Sequence, residues 1–296
     1  MTFIYGYCPH FSEWFVLAIF RVFGSSRLPR HVSDDETCSF IENVTYASQA
    51  KDRSSRIKDN HLVLFEILQS VSKTLTKLSI IVHSSVTLLP RLFIILATCP
   101  NITVLHLRLE DVRHHWYSRL SALTTITSLT ELRLECPKNT EMPLPEIEYL
   151  IRSSPSLKYI DLNSCSCDIL STTKRYCPDL TGLSLNSGNG IEYHSPWYDT
   201  RPRGSLRSLF VRGMFSPTSV LSFLEAAQDS LEELTLVSEF IGTVTQDWSV
   251  FSNLEMKNLT ELHIQSGTSG LHTIVPSIVR SCPRLTNIVL SHFNVD

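Results

Sequence analysis

The sequence predicts an α/β solenoid, because a short apolar motif returns at a nearly constant interval. The motif is L-x-x-L-x-L with conservative replacements, and successive copies begin 23 to 28 residues apart. An interval of that kind indicates one structural unit per repeat, stacked on its neighbours. The nine copies begin at Leu75, Ile102, Leu129, Leu157, Leu180, Leu206, Leu231, Leu259 and Leu285.

Repeats of this length and pattern are typical of leucine-rich repeats, in which each unit supplies one strand and a return segment. In Leu132-Arg133-Leu134 the leucines alternate with a polar residue, which sends them to one face of a strand. We expect a right-handed horseshoe with one parallel sheet on the concave face and helices and loops on the convex face. The strands are expected near 77–81, 104–108, 131–135, 159–163, 182–186, 208–212, 233–237, 261–265 and 287–291.

Four return segments carry the apolar spacing of helices, at 88–98, 146–153, 219–228 and 274–281. In the last one, Pro276 is expected in the first turn, where a missing N–H costs nothing. Proline then separates helix from strand, because it cannot continue a helix. The dipeptides are Cys99-Pro100, Ser154-Pro155, Cys177-Pro178 and Cys282-Pro283, and each small residue before the proline is expected to pack against the helix end.

Composition and charge exclude several functional classes. The 296 residues hold 26 Lys and Arg against 29 Asp and Glu, so no basic face predicts nucleic acid or anionic membrane as a partner. The apolar run at 14–20 is too short to span a bilayer, and no basic segment precedes it as in a signal peptide. We therefore expect a cytoplasmic or nuclear protein that is not secreted.

The eight cysteines are spread through the repeats rather than clustered, which favours reduced thiols over a disulfide framework. The only close pair, Cys165 and Cys167, has no second pair or histidines nearby and is weak evidence for zinc. The sequence predicts no metal site and no cofactor.

Motifs for catalysis are missing as well. The chain contains no G-x-S-x-G, Walker loop or H-E-x-x-H motif. His106 is expected on the inner sheet, whereas His114 and His115 follow on a return loop, so we interpret them as a polar surface cluster. The sequence predicts no catalytic residue and no enzyme.

Side chains at the third, fifth and seventh positions counted from the start of each hexamer point to the inner face of the sheet. Most are polar, as a solvated sheet face requires. Two features go beyond what a solvated face needs, namely a band of charged residues and two single aromatic residues. Arginine and aromatic side chains contribute a large share of the binding energy in protein interfaces. Mixed charge signs suit a folded protein partner on the concave face. The predicted binding residues are Arg108, Glu131, Arg133, Glu135, Tyr159, Asp161, Phe210 and Arg212.

The segment 187–204 interrupts the pattern, since it has no helical period and contains Tyr193, Trp197 and Tyr198. These aromatic residues are either exposed recognition anchors or a cover for the core where a helix is missing.

A helix that ends in Cys-Pro-x-Leu before a leucine-spaced strand resembles the cysteine-containing leucine-rich repeats of F-box proteins. The segments that carry the resemblance are CPNITVLHL at 99–107, SPSLKYIDL at 154–162, CPDLTGLSL at 177–185 and CPRLTNIVL at 282–290. With the strand-like SFIENVTYAS at 39–48, the pattern is most similar to fungal F-box families. The resemblance implies a substrate receptor of an SCF-type cullin ubiquitin ligase, in which the F-box binds the cullin linker protein and the repeats bind the target.

The first 38 residues lack the Leu-Pro opening and helical leucines of an F-box, so the F-box itself is expected to be missing or degenerate. The spacing of apolar residues from Phe11 to Val22 predicts one helix there. We expect residues 1–38 to be a helical cap or an F-box remnant, and residues 39–296 to be the leucine-rich-repeat domain. The alternative to a ligase receptor is a free-standing scaffold or binding protein with no link to ubiquitin.

Overall fold

The computed structural model describes most of the repeats and divides into two compact units, Met1–Ser154 and Pro155–Asp296. For residues 16–22 and 41–48 it describes the backbone as strands. The other described residues are 65–66, 68–83, 88–110, 125–135, 144–163, 172–173, 175–186, 205–213, 215, 217–239, 248–267 and 271–292.

The first unit contains strands β1 (Val16–Val22), β2 (Ile41–Ser48), β3 (Lys77–His83), β4 (Val104–Glu110) and β5 (Glu131–Glu135). Helices α1 (Leu88–Leu96) and α2 (Leu144–Arg152) follow β3 and β5. Strands β2 to β5 pair in parallel in the order of the sequence, whereas β1 pairs antiparallel with β2.

The second unit contains strands β6 (Tyr159–Asn163), β7 (Gly182–Asn186), β8 (Ser208–Gly213), β9 (Glu233–Ser238), β10 (Glu261–Ser266) and β11 (Asn287–His292). All six pair in parallel in the order of the sequence. The return segments include α3 (Pro217–Ala227), a 3-10 helix (Trp248–Asn253) and α4 (Leu271–Ser281).

This architecture is a leucine-rich-repeat solenoid, as the hexamers predicted. Every one of the nine expected strands is present, and β2 confirms the strand expected at 39–48. Within each unit the register joins equivalent hexamer positions, for example Leu105 with Leu132 and Leu234 with Leu262. A parallel ladder in this register stacks every leucine on the corresponding leucine of the next repeat.

The stacked leucines form the core, because one repeat is too thin to bury its own apolar face. The leucines at the fourth and sixth hexamer positions of β5, β7 and β9 were expected to be almost fully buried. Each exposes 2% of its surface or less, which confirms the expectation: Leu132, Leu134, Leu183, Leu185, Leu234 and Leu236.

A recurring backbone hydrogen bond joins the repeats just before each strand. The carbonyl of the second hexamer residue accepts the N–H groups of the second and third residues of the following repeat. Thus Thr103 and Val104 both donate to the Thr76 oxygen, at 2.8 and 3.1 Å. The described repeats contain seven such carbonyls, at Thr76, Thr103, Lys158, Thr181, Arg207, Glu232 and Thr260.

Threonine at the second position strengthens this link by adding a third donor to the same carbonyl. Its hydroxyl lies 3.0–3.1 Å from the oxygen that its own N–H already reaches, in Thr103, Thr130, Thr181, Thr260 and Thr286. The hydroxyl is thereby satisfied close to the core, where an unpaired polar group would be costly.

The four predicted helices are present, and the Cys-Pro dipeptides end their return segments as expected. Cys99, Cys177 and Cys282 expose 2–3% of their surface, which confirms that they pack as small core residues. The Cys99 thiol donates to the Ile95 carbonyl at 3.3 Å, inside the last turn of α1. None of these three cysteines forms a disulfide.

Two expectations about local structure are wrong. Pro276 lies inside α4 rather than in its first turn, because the helix already begins at Leu271, directly after the Gly-Thr-Ser-Gly segment at 267–270. The proline therefore costs the helix one N–H donor. It lies on an exposed part of the helix, where its ring meets no packed core.

The helix expected between Phe11 and Val22 is the second error, since residues 16–22 form strand β1. The sequence VLAIFRV combines a short apolar run with β-branched and aromatic residues, which suit a strand, and a run of this length has no decisive period. Pairing with β2 gives the backbone N–H and C=O groups of this segment the hydrogen bonds that a helix would form internally. The assignment of 1–38 as a cap or F-box remnant stays a prediction. None of the described helices is long and apolar enough to cross a membrane.

The buried leucine ladder predicts a large loss of stability on truncation. Leu134→Ala is expected to lower the free energy of unfolding by about 2–5 kcal/mol, because the neighbouring repeats cannot close the cavity. Urea denaturation of the variant measures this loss. The control is Ile94→Ala on α1, where the side chain is 59% exposed and the change is expected within about 0.5 kcal/mol. A loss below about half a kilocalorie for Leu134→Ala contradicts the strand register.

Candidate functional site

The strand face of the first unit brings together the predicted charges of β4 and β5. Arg108, Glu131, Arg133 and Glu135, which we call the charged cluster, occupy outward positions of the two strands. The Arg133 Nε donates to Glu131 Oε1 at 2.6 Å along β5. Across the strands, Arg108 Nη1 lies 4.0 Å from Glu135 Oε2.

His106 joins the charged cluster, although the sequence did not predict it as a binding residue. Its Nε2 lies 3.1 Å from Glu135 Oε1, and its Nδ1 lies 3.4 Å from the Ser79 hydroxyl on β3. One imidazole thus links three neighbouring strands. This contact could have been predicted by aligning the hexamers, since His106 and Glu135 occupy diagonal outward positions of adjacent hexamers.

The order Ser79–His106–Glu135 matches that of a Ser–His–acid triad, but the surroundings differ from those of a nucleophile. A triad needs backbone N–H groups aimed at a developing oxyanion. Ser79 lies in the middle of β3, which is paired with β2 and β4 on both edges, so the N–H groups around it belong to the ladder. The arrangement favours a hydrogen-bonded surface network.

The ion pairs of the charged cluster contribute little to the fold. The Arg108 and Arg133 side chains are about half exposed, at 51% and 48%. Exposed pairs of this kind are each worth about 0–1 kcal/mol, because water screens them. A partner can therefore exchange these contacts for its own at small cost to stability.

The strand face of the second unit is built differently, around a tyrosine that lies over a glycine. A Cβ placed on Gly182 would come within 2.5 Å of Tyr159 Cδ2, so the ring occupies the space that any other residue would fill. Gly182 and Tyr159 are in register on neighbouring strands. The glycine thereby leaves room for the tyrosine ring to lie against β7, and the tyrosine is partly exposed.

Phe210 and Arg212 lie on β8, separated from Tyr159 and Asp161 by the small residues of β7. Arg212 Nε donates to Glu239 Oε1 at 2.7 Å, so its charge is already neutralised. Three carboxylates occupy outward positions of this unit, Asp161, Glu233 and Glu261. Glu233 accepts one hydrogen bond from the Ser208 hydroxyl at 3.0 Å. The described strand face of this unit therefore carries more negative than positive charge.

The structure thus assembles the predicted residues into two groups, one in each unit. The charged cluster forms one group, and the four residues of β6 and β8 form the other. The other sequence features lie outside the described residues, namely the 187–204 segment with Tyr193, Trp197 and Tyr198, the His114-His115 pair and the Cys165/Cys167 pair. Among the described side chains, no group of three His, Cys, Asp or Glu residues could hold a metal ion.

The three buried thiols are poor nucleophiles and poor metal ligands, because both roles require the thiolate. Burial raises the pKa of the Cys99 thiol to about 11 and that of the Cys177 thiol to about 12. It raises the pKa of Cys282 as well. These cysteines therefore support the core and offer no reactive group to the strand face.

Comparison with known proteins agrees with a repeat architecture. No known family model matches the sequence. The chain is 36% identical over 97 residues to GRR1-like protein 1 of Arabidopsis thaliana, and the match covers 31% of this chain and 16% of that relative. An internalin from Listeria monocytogenes is 16% identical, with a TM-score of 0.37 over 90% of this chain and 86% of the internalin. The plant match supports a leucine-rich-repeat family, while the fold assignment rests on the strand register.

The raised thiol pKa values predict a loss of stability at alkaline pH. The unfolded chain ionises Cys177 near pH 9, whereas the folded chain holds the proton to about pH 12. The contribution of this thiol to the free energy of unfolding is fully present below pH 9. It declines as the pH rises from 9 to 12, because in that range only the unfolded state releases the proton. In urea denaturation at pH 8 to 11, the free energy of unfolding is expected to fall less steeply with pH for Cys177→Ala than for the unsubstituted chain. Parallel declines in the two proteins contradict the assignment.

Proposed function

We propose that this chain recognises a protein target through its strand faces, as the substrate receptor of an SCF-type cullin ubiquitin ligase. A leucine-rich-repeat solenoid with an open strand face is a protein-interaction module. The target, the ligase link and the binding residues are our proposal. The observation that carries it is the pair of outward groups, the charged cluster in one unit and Tyr159 with Phe210 in the other.

The chemistry of these groups favours a folded protein or peptide as the target. Arginine and tyrosine are enriched among the residues that dominate protein interfaces, and the Tyr159 ring already packs over Gly182. Placing the ring before binding reduces the entropy lost on association. On the second unit, Asp161, Glu233 and Glu261 favour a target surface that carries Lys or Arg.

The ligase role is supported by the Cys-Pro-x-Leu repeats, which resemble those of F-box proteins. The buried Cys99, Cys177 and Cys282 occupy the corresponding place at the end of each return segment. None of the three forms a disulfide, which suits a cytoplasmic or nuclear location, where thiols stay reduced.

A free-standing scaffold or binding protein is the second candidate, and strand β1 favours it. An F-box remnant is expected to be helical, whereas residues 16–22 form a strand paired antiparallel with β2. In either role we propose no enzymatic activity and no nucleic acid, membrane or cofactor as a partner.

The strand-face proposal predicts loss of binding without loss of fold. Replacing Arg133, Tyr159 and Phe210 together by alanine is expected to reduce the recovery of co-purifying proteins by about tenfold or more, because such residues dominate interfaces. Affinity capture with quantitative mass spectrometry measures the recovery, and an unchanged melting curve confirms the fold. The matched control replaces Arg152, Tyr149 and Ile94, an arginine, a tyrosine and an aliphatic residue on the helices.

Recovery of the same proteins in the same yield would exclude the strand faces, and the 187–204 segment would become the better candidate. Gly182→Ala gives a finer test, because the new methyl group displaces the Tyr159 ring without removing it. Its effect on recovery is expected to approach that of Tyr159→Ala, whereas Ser184→Ala on the same strand is expected to have little effect.

The ligase link is tested by mixing the purified chain with the purified cullin linker protein. A receptor is expected to form a complex on size-exclusion chromatography at micromolar concentration, and the complex is expected to survive the strand-face substitutions. If no complex forms at 100-fold higher concentration, residues 1–296 do not themselves bind the linker protein and the proposed ligase link of this chain is wrong. The two results separate the ligase role from target recognition, since each is measured with a different partner.

A further inference from the structure

Three outward residues of the second unit lie in one row across neighbouring strands. Asp161 of β6 is in register with Ser184 of β7, and Ser184 is in register with Phe210 of β8. Neighbouring strands lie about 4.7–4.9 Å apart, so the backbones of Asp161 and Phe210 are separated by about 9.5 Å. The short serine side chain between them does not fill that width. The row therefore forms a slot with a carboxylate on one side and an aromatic ring on the other.

Tyr159 lies at one end of the slot, two residues before Asp161 on β6. Its ring extends over β7, since a Cβ on Gly182 would come within 2.5 Å of Tyr159 Cδ2. Gly182 is accordingly buried, although it occupies an outward position. We call this arrangement the β7 slot and define it as Tyr159, Asp161, Ser184 and Phe210.

The carboxylate of the β7 slot has no cation of its own unit to bind. Among the described residues, Asp161 takes part in no hydrogen bond and no ion pair. Arg212 is the only arginine or lysine at an outward position of the described strands of this unit, and its Nε donates to Glu239 at 2.7 Å. Asp161 and Phe210 are both partly exposed, so a side chain of another molecule can reach them.

We propose that the β7 slot binds an arginine side chain of the target, with the guanidinium group between the Asp161 carboxylate and the Phe210 ring. A guanidinium donates to a carboxylate at about 2.7–2.9 Å, and a cation is attracted to an aromatic ring within about 6 Å of the ring centroid. Together these two distances match the width of the slot. This inference rests on the proposed function, because it names one side chain of the target that the strand face recognises.

The mixed lining of the slot favours arginine over lysine. A guanidinium group combines a planar set of donors for a carboxylate with attraction to aromatic surfaces. It is also more weakly hydrated than an ammonium group, so moving it from water to a position between two side chains costs less free energy. A neutral side chain of the same shape would lose the attraction to both Asp161 and Phe210.

Binding of a minimal probe to the full chain tests the slot. The probe is N-acetyl-arginine N-methylamide, and its neutral isostere is the citrulline analogue. The arginine probe is expected to shift the ring signal of Phe210 saturably, with a dissociation constant on the order of 1–10 mM. The citrulline probe is expected to bind at least about tenfold more weakly, because it lacks the charge, and the lysine analogue to lie between the two. NMR of a chain with 13C-labelled phenylalanine measures the shift, and the loss of one signal in Phe210→Leu assigns it.

Two pairs of variants test the residues of the slot. Asp161→Asn keeps the size of the side chain, and it is expected to weaken the arginine probe at least about tenfold and to abolish its advantage over citrulline. The matched control is Asp179→Asn, at an exposed position before β7, which is expected to leave both probes unchanged. Ser184→Leu fills the slot and is expected to block the arginine probe, whereas Ser184→Ala leaves the slot open. An unchanged melting curve confirms the fold of each variant.

Three outcomes overturn the slot: equal binding of the arginine and citrulline probes, no saturable shift up to about 50 mM, and an arginine advantage that survives Asp161→Asn. A failure of the strand-face proposal is read separately, from the co-purifying proteins. If those proteins are lost with Tyr159 and Phe210 while the probes show no preference for arginine, the strand face binds a target and the slot does not bind arginine.

Discussion

The constraint on which the molecule depends is that no repeat can bury its own leucines. A strand with a return segment is only one layer thick, so its apolar face is covered only by the repeats before and after it. The burial of Leu234 and Leu236 at 2% exposure or less is thus a property of three repeats together. Stability is shared between neighbours, and any repeat without a neighbour on one side is left with an uncovered apolar surface.

The hydrogen bonds between repeats keep that stacking in register. Seven second-position carbonyls of the described repeats accept two N–H groups from the next repeat, and a threonine there adds its hydroxyl to the same oxygen. A shift of one residue would turn the leucines outward and also break this three-donor link. Asn101 and Asn258 lie directly before the first residue of their hexamers, where their side-chain amides donate at 2.6 Å to the carbonyls of Lys73 and Asp229. Polar residues before these strands therefore set the register of the stacked repeats, and the buried leucines stabilise the stack in that register.

The strands and their outward faces followed from the sequence because the period of the hexamer defines both. The charged cluster was predictable for the same reason, since its members sit at fixed hexamer positions. The role of His106 was missed, because its diagonal contact to Glu135 becomes evident only when two adjacent hexamers are aligned in register. Strand β1 was mistaken for a helix because a short apolar run has no decisive period and pairing with β2 decides its structure. The Tyr159–Gly182 contact likewise exists only between repeats.

The outward positions are less constrained by the fold than the other positions of the repeat. Leucine positions are fixed by the core, and second positions are used by the links between repeats. The third, fifth and seventh positions need only be compatible with water and with a strand. Weak, exposed ion pairs such as Arg108 with Glu135 meet that requirement no better than serine or threonine would. Gly182 is a special case, because glycine weakens a strand and its effect here is to leave room for the Tyr159 ring. A glycine that weakens its strand while making room for an aromatic side chain is what our proposal of target binding by Tyr159 requires.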